Sequence, residues 1–186
     1  MPRWDPDASE RLLQAGMSLY FERGYADVTV AEIADRAGLT KRTFFRHFAD
    51  KREVPFVGAA SFQAAVVAGV AAAAGDLPPV DVAVGALADA SAELARWAEH
   101  AAARRALVAS ATELWERELS KRDAVTVAIA AALRERGADP LPATLTAQAA
   151  VAAFTTGYDR WVDAGATGDL PALVRATLGD LRQAVC

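Results

Sequence analysis

Between Thr40 and Arg52 stand five cations, Lys41, Arg42, Arg46, Lys51 and Arg52, against a single anion, Asp50. The hydroxyls of Thr29, Thr40 and Thr43, the ring of Phe45 and the imidazole of His47 lie in or near the same stretch. Such a set contains no nucleophile and base arranged for bond-making. It offers hydrogen-bond donors and positive charge, the groups that hold phosphate oxygens and reach base edges in nucleic acid. The whole chain is acidic, with a net charge of −4, but the charge is uneven. Residues 1–52 hold nine Lys and Arg against eight Asp and Glu; residues 53–186 hold eleven against sixteen. A local basic patch sets a phosphate footprint whatever the total. On charge alone, a solvated basic helix face has the same appearance.

Other chemistries find no support in the residues. One cysteine, Cys186, and two histidines, His47 and His100, cannot furnish the four ligands of a zinc site, so no metal or cofactor is expected. There is no Gly-x-x-x-x-Gly-Lys loop for a nucleotide. Serine and histidine show no triad arrangement, and the acid pairs Glu113/Glu116 and Asp159/Asp163 read as solvated helix faces. The chain is therefore not expected to be an enzyme. A lone cysteine permits no intrachain disulfide, the opening Met-Pro-Arg-Trp-Asp lacks the apolar run of a signal peptide, and no long uninterrupted apolar window suggests a membrane span. A cytoplasmic protein is expected.

The elements that must position the cations can be read from their start and stop signals. The composition, 53% hydrophobic and rich in alanine, favours helices. Asp7 and Glu10 have capping-box spacing before an apolar stripe of Leu12, Leu13, Gly16, Met17, Leu19, Tyr20 and Phe21, and Gly24 closes that helix. Thr29 and Glu32 open a second helix, with Ile33 and Ala34 facing inward, and Gly38 ends it. Thr40 then caps a third helix through Phe48. A helix, a tight glycine turn and a second helix form a helix-turn-helix, whose second helix enters the major groove. Phe44 and Phe48, four apart, can anchor one face. Thr40, Lys41, Arg42, Thr43 and Arg46 are left for DNA, with Thr40 at the helix start, where free backbone N–H groups favour a phosphate. His47 suits a phosphate contact or a packing role.

At these residues the chain resembles the TetR family of bacterial repressors. The resemblance runs from Arg11 to Arg52 and rests on Phe21-x-x-Gly24-Tyr25, on Thr29-Val30-x-x-Ile33-Ala34-x-x-Ala37-Gly38 and on Phe45-x-His47-Phe48-x-x-Lys51. It implies that Thr29, Thr40, Lys41, Arg42, Thr43, Phe45, Arg46, His47 and Lys51 form the DNA-binding set. Two departures stand out. The family usually has a tyrosine at Phe45, whose hydroxyl reaches a phosphate, a bond phenylalanine cannot donate. The family also usually has a leucine at Pro55, inside the fourth helix. Asp50 and Glu53 have capping-box spacing, which puts that proline inside the helix they open, so either this helix starts later or its first turn is distorted.

The rest reads as helices near 55–74, 79–98, 99–110, 112–136, 142–164 and 169–184, separated by Gly and Pro. The expected architecture is all-α, about nine helices in two domains: a helix-turn-helix domain over 1–52 and an effector-binding and dimerisation domain over 53–186. The resemblance implies that the last two helices form a homodimer interface, with Leu145, Ala149, Ala152, Leu173, Leu178 and Leu181 as candidates; an ordinary monomeric core is the alternative. It also implies a ligand cavity among the middle helices. Phe62, Trp97, Leu107, Trp115, Phe154, Tyr158 and Trp161 are the large candidates, each equally suited to plain core. Arg104, Arg105 and His100 could meet an anionic group or simply face solvent. The segment Arg104–Arg136 looks similar to actinobacterial relatives associated with acyl-CoA-like ligands. The function implied is a ligand-responsive regulator, a repressor released from a palindromic double-stranded DNA operator by an apolar or acyl-type small-molecule effector. The alternative is a helical small-molecule-binding protein or enzyme with a vestigial DNA-binding head. A third reading, a DNA-binding architectural protein with no effector, stays open.

Overall fold

The computed structural model describes residues 8–185. Among them the chain forms nine α-helices, one 3-10 segment and no strand. The helices are α1 (Ala8–Arg23), α2 (Val30–Arg36), α3 (Lys41–His47), α4 (Ala59–Ala72), α5 (Pro79–Ala95), α6 (Ala98–Ser110), α7 (Thr112–Glu135), α8 (Pro140–Asp163) and α9 (Leu170–Val185); the 3-10 segment is Lys51–Phe56. The chain divides into two compact units. One runs to Val57 and takes in Ala103–Glu118; the other comprises Gly58–Ala102 and the chain from Leu119 onward. The first unit therefore extends beyond residue 52 and recruits a second piece of chain.

In the first unit α1 packs on α2, α3 and the 3-10 segment. Its buried face is Leu12, Ala15, Gly16, Leu19 and Tyr20, whereas Phe21, expected on that stripe, is 44% exposed. The expected capping residue Asp7 lies outside the described residues, as does Cys186. Thr29 and Glu32 make the reciprocal capping box that their spacing implied. Gly38, at φ 65°, lets its own N–H reach the carbonyl of Asp35 and the Leu39 N–H reach that of Ala34. That left-handed closure terminates α2 within a turn.

Pro55 settles how the fourth helix begins. Asp50 caps the N–H of Arg52, and residues 51–56 wind as a 3-10 segment that buries Val54, Pro55 and Phe56. The left-handed Gly58, at φ 87°, then breaks the path, and α4 begins only at Ala59, later than the expected start at 55. A proline without an N–H is tolerated in this short tight turn, where an α-helix interior would lose a hydrogen bond. The run 51–72 has an apolar composition, but this break leaves α4 with 14 residues. That is roughly 21 Å of helix, short of the ~30 Å of a bilayer core.

In the second unit α5 packs against α4, α8 and α9, and α8 against α9. Its core joins Val66, Val70, Leu87, Ile129, Leu133, Trp161, Leu170 and Val174 with a set of buried alanines on α5 and α8. Small residues set the spacing: a Cβ added at Gly69 would stand 3.0 Å from the Cβ of Ala86, and one at Gly157 3.1 Å from the Cα of Val174. Arg136 ends α4 by donating to the carbonyls of Ala71, Ala73 and Ala74, which otherwise lack intrahelical partners. Ion pairs Arg175–Asp89 and Arg182–Asp81 tie α9 to α5.

The expected dimer residues divide. Leu178 is 5% exposed and belongs to the core of its own unit, because the spacing Leu170–Val174–Leu178 turns that stripe of α9 toward α5 and α8. Leu173 and Leu181 pack partly on the same core. Leu145 and Ala152 lie on the exposed face of α8, with Ala149 at its border. Leu141, one turn before Leu145, extends that face; the two are 68% and 56% exposed.

Candidate nucleic-acid interface

Helix α3 is seven residues long and would not persist alone in water. Its inner face holds it in place. Phe44 is fully buried, Phe48 is 6% exposed, and their rings lie 5.2 Å apart. Thr40 caps the helix by accepting from the Thr43 N–H, and the two threonine hydroxyls stand 3.1 Å apart. The opposite face is open: Lys41, Arg42, Phe45 and Arg46 are exposed. Lys41 and Arg42 make no side-chain hydrogen bond or ion pair among the described residues. The guanidinium of Arg46 lies 3.4 Å from the Nε2 of half-buried His47.

The surrounding charges are arranged so that α3 keeps the free cations. Arg36 forms two parallel bonds to Glu22, at 2.9 and 3.0 Å, and Arg23 bonds Glu32 at 2.9 Å. The hydrogen bond from Arg36 holds the Glu22 carboxyl below its usual range. Glu32, which accepts from the Thr29 hydroxyl and backbone and from Arg23, is held at about 2. Arg52 closes on Asp50, lowering that carboxyl and raising the guanidinium. Of the five cations in the basic stretch, three thus point outward and two are engaged within the unit.

Lys51, expected among the DNA contacts, is the second engaged cation. Its Nζ donates to the carbonyls of Tyr25 (2.9 Å), Ala26 (3.3 Å) and Val28 (2.8 Å) and stands 4.3 Å from the centre of the Tyr25 ring. An ammonium has three donors, and all three are used. Lys51 closes the turn before α2, and its own carbonyl accepts from the Tyr20 hydroxyl at 2.7 Å. Thr29 is exposed, with its hydroxyl engaged in the capping box.

Sequence reading missed the second piece of this unit. Arg104 donates to the Pro55 carbonyl and to Glu118, both at 2.9 Å, and its guanidinium carbon lies 5.2 Å from the Phe56 ring centre. Arg117 pairs with Glu53. Burial and a hydrogen bond to Glu113 push the Tyr25 hydroxyl well above its ordinary range. Arg104, expected either to meet an anion or to face solvent, instead anchors the 3-10 segment. Pro55 and Arg104 are 49 residues apart in the chain, a separation no local motif encodes. His100, by contrast, is exposed beside Glu99.

The expected ligand residues also divide. Phe62, Phe154, Tyr158 and Trp161 form a run of rings in the second unit, with centroids 5.4, 6.4 and 5.9 Å apart. Trp161 is 1% exposed, and its indole N–H has no acceptor among the described residues. Trp97 lies apart from this run and is 48% exposed. Leu107 and Trp115 belong to the first unit, one buried and the other 44% exposed.

A helix-turn-helix whose second helix is braced by aromatics and bare of anions, joined in one chain to an all-helical body, defines a class of protein: DNA-binding regulators with a head and a helical body. Residues 12–54 match the family model of bacterial regulatory proteins, tetR family. Over that domain the chain is similar to the tetR family. The HTH-type transcriptional regulator TcmR of Streptomyces glaucescens is 42% identical over 45 residues, which are 24% of this chain and 20% of that relative. The matched stretch spans only a fifth of that relative's length. Solved structures extend the likeness of fold to nearly the whole chain. A SmeT–triclosan complex aligns over 93% of this chain and 90% of its own, with a TM-score of 0.63 and 21% identity. Thermus thermophilus FadR, a TetR-family transcriptional repressor in complex with lauroyl-CoA, aligns over 96% and 95%, with a TM-score of 0.52 and 22% identity.

Proposed function

We propose that this chain is a ligand-responsive transcriptional regulator that binds a palindromic double-stranded DNA operator as a homodimer through α3 and is released when an apolar or acyl-type small molecule occupies the body. The observation that carries this reading is the outer face of α3, where Lys41, Arg42 and Arg46 stand exposed around a helix fixed from behind by Phe44 and Phe48. A rigid rod with cations on one side is what phosphate and base-edge contacts in a major groove require. Two rods in one dimer read two half-sites a duplex turn apart, which multiplies specificity. The exposed α8 face carrying Leu141, Leu145 and Ala152 is the surface we assign to the partner subunit.

The effector site we assign is the ring run Phe62–Phe154–Tyr158–Trp161. Its support is a run of packed rings with one buried, unpartnered indole donor, the residue types of a small-molecule site that fixes a ligand by a polar contact. The FadR structure holds lauroyl-CoA, whose acyl chain is apolar, and the SmeT structure holds triclosan, an apolar aromatic molecule; both suit a site built of rings. Release requires that the effector prefer the DNA-incompetent state, since equal affinity for both states shifts nothing.

The test is a gel-shift with fragments selected from the protein's own genome, repeated across salt concentrations. Specific retardation whose affinity falls steeply with salt is expected. Equal binding to unrelated duplexes, or no binding, overturns the reading and favours a body that keeps a vestigial head. For the dimer, L145E should convert the sedimenting species to a monomer and weaken operator binding; an unchanged dimer would move the interface elsewhere.

A further inference from the structure

We propose that Phe45 reads sequence, by packing its ring against the 5-methyl group of a thymine in the major groove of each operator half-site. The inference rests on the DNA-binding reading above and adds a base preference to it. Single exposed apolar side chains are ordinary on protein surfaces, but this one occupies a particular place. It is 56% exposed near the middle of α3, with Lys41 and Arg42 four and three residues before it on the same face and Arg46 beside it. Its ring meets the buried Phe44 ring edge-on, at 5.5 Å and 85°, so it is propped outward by a side chain that is itself immobilised in the core.

The chemistry of the ring narrows what it can meet. Phenylalanine has neither donor nor acceptor, so it can bond neither a phosphate oxygen nor the nitrogen and oxygen atoms of a base edge. In the major groove one base-edge group is apolar, the thymine methyl. The flanking cations bring phosphates to both sides of the ring, and that complementarity seats it against the groove floor. Desolvating a methyl-sized surface corresponds to about a fourfold change in affinity, enough to favour thymine at one position without dominating binding.

The experiment uses the full chain and a duplex recovered from a random-sequence pool by rounds of binding. Each thymine is then replaced in turn by deoxyuridine, which removes only the methyl group and keeps pairing. With the unaltered protein, one replacement per half-site should weaken binding about fourfold, and the others should have little effect. In F45A that sensitivity should vanish, and in F45L, which keeps apolar bulk, it should persist; thermal melting of each variant checks that the head is folded. Insensitivity to every replacement, or a sensitivity that survives in F45A, overturns the proposal. So does a uniform gain in affinity in F45Y with no methyl dependence, which would place the ring against the sugar-phosphate backbone. If the pool yields no preferred duplex at all, the DNA-binding reading itself falls, and this inference with it; salt-dependent specific binding without methyl dependence sinks this inference alone.

Discussion

Lys51 and Arg46 are both basic and five residues apart, yet their surroundings give them different work. Arg46 is exposed beside His47, while Lys51 spends all three donors on the carbonyls of Tyr25, Ala26 and Val28. Arg46→Ala and Lys41→Ala should therefore weaken DNA binding and each reduce the slope of log affinity against log salt by about 1. Lys51→Ala should act on folding instead. Losing hydrogen bonds from a charged donor costs about 1.5–3 kcal/mol, so thermal melting should show a lowered midpoint, while the salt slope stays as it was. A Lys51 variant with normal melting and a reduced slope would return Lys51 to the DNA surface. This distinction was not legible in the chain. The basic cluster was visible as charge, but charge does not reveal which ammonium a loop of backbone carbonyls has enclosed. The phenylalanines were different: Phe44 and Phe48 at four-residue spacing declared the inner face in advance.

At the scale of the element, the head depends on its caps and on close contacts. Glu32 carries the reciprocal cap of α2, with its carboxyl held at about 2 against an ordinary 4.5. Its folded-state value lies below its unfolded one, so the stability it contributes is present above pH 4.5 and is lost as pH falls through that window toward 2. Melting followed by circular dichroism should show the midpoint of the native protein falling across this window, and Glu32→Gln should flatten that part of the profile. Gly16 marks the tightest approach in the head: a Cβ there would stand 2.8 Å from Cγ1 of Val54, which is fully buried. Gly16→Ala gains up to about 1 kcal/mol in helix propensity but overpacks a site with no room to yield, at about 1–3 kcal/mol. A net loss of stability in denaturant titration is expected. Helix limits were largely readable, because Thr29, Thr40, Gly24, Gly38 and Gly137 are unambiguous starts and stops. The beginning of α4 was only half readable. Pro55 announced a disturbance, but its resolution into a 3-10 segment and a left-handed Gly58 depends on Val54 and Phe56 being buried.

At the scale of the molecule, all-α architecture and the count of helices followed from alanine content, capping signals and glycine breaks. What did not follow was which helix faces turn inward. Leu178 and Leu145 look alike in a stripe of leucines, and only the packing of α9 against α5 and α8 separates a core residue from a surface one. The boundary of the head was hidden for a related reason. Arg104, Arg117 and Glu118 are remote in the chain, and nothing near them signals that they hold the 3-10 segment. Arg104→Ala should lower the melting temperature of the head, because the Pro55 carbonyl and the Glu118 carboxylate would lose a charged donor, at about 1.5–3 kcal/mol.

Because Ala103–Glu118 is part of the same compact unit as the N-terminal helices, the polypeptide passes between the two units at three places, after Val57, after Ala102 and after Glu118. Anyone wishing to transplant this reader of DNA onto a different sensor cannot do so by cutting once and fusing the front piece. A graft ending at Val57 would discard the guanidinium groups that clasp Glu53 and the Pro55 carbonyl, and a workable chimera must carry both stretches, threaded through its new host.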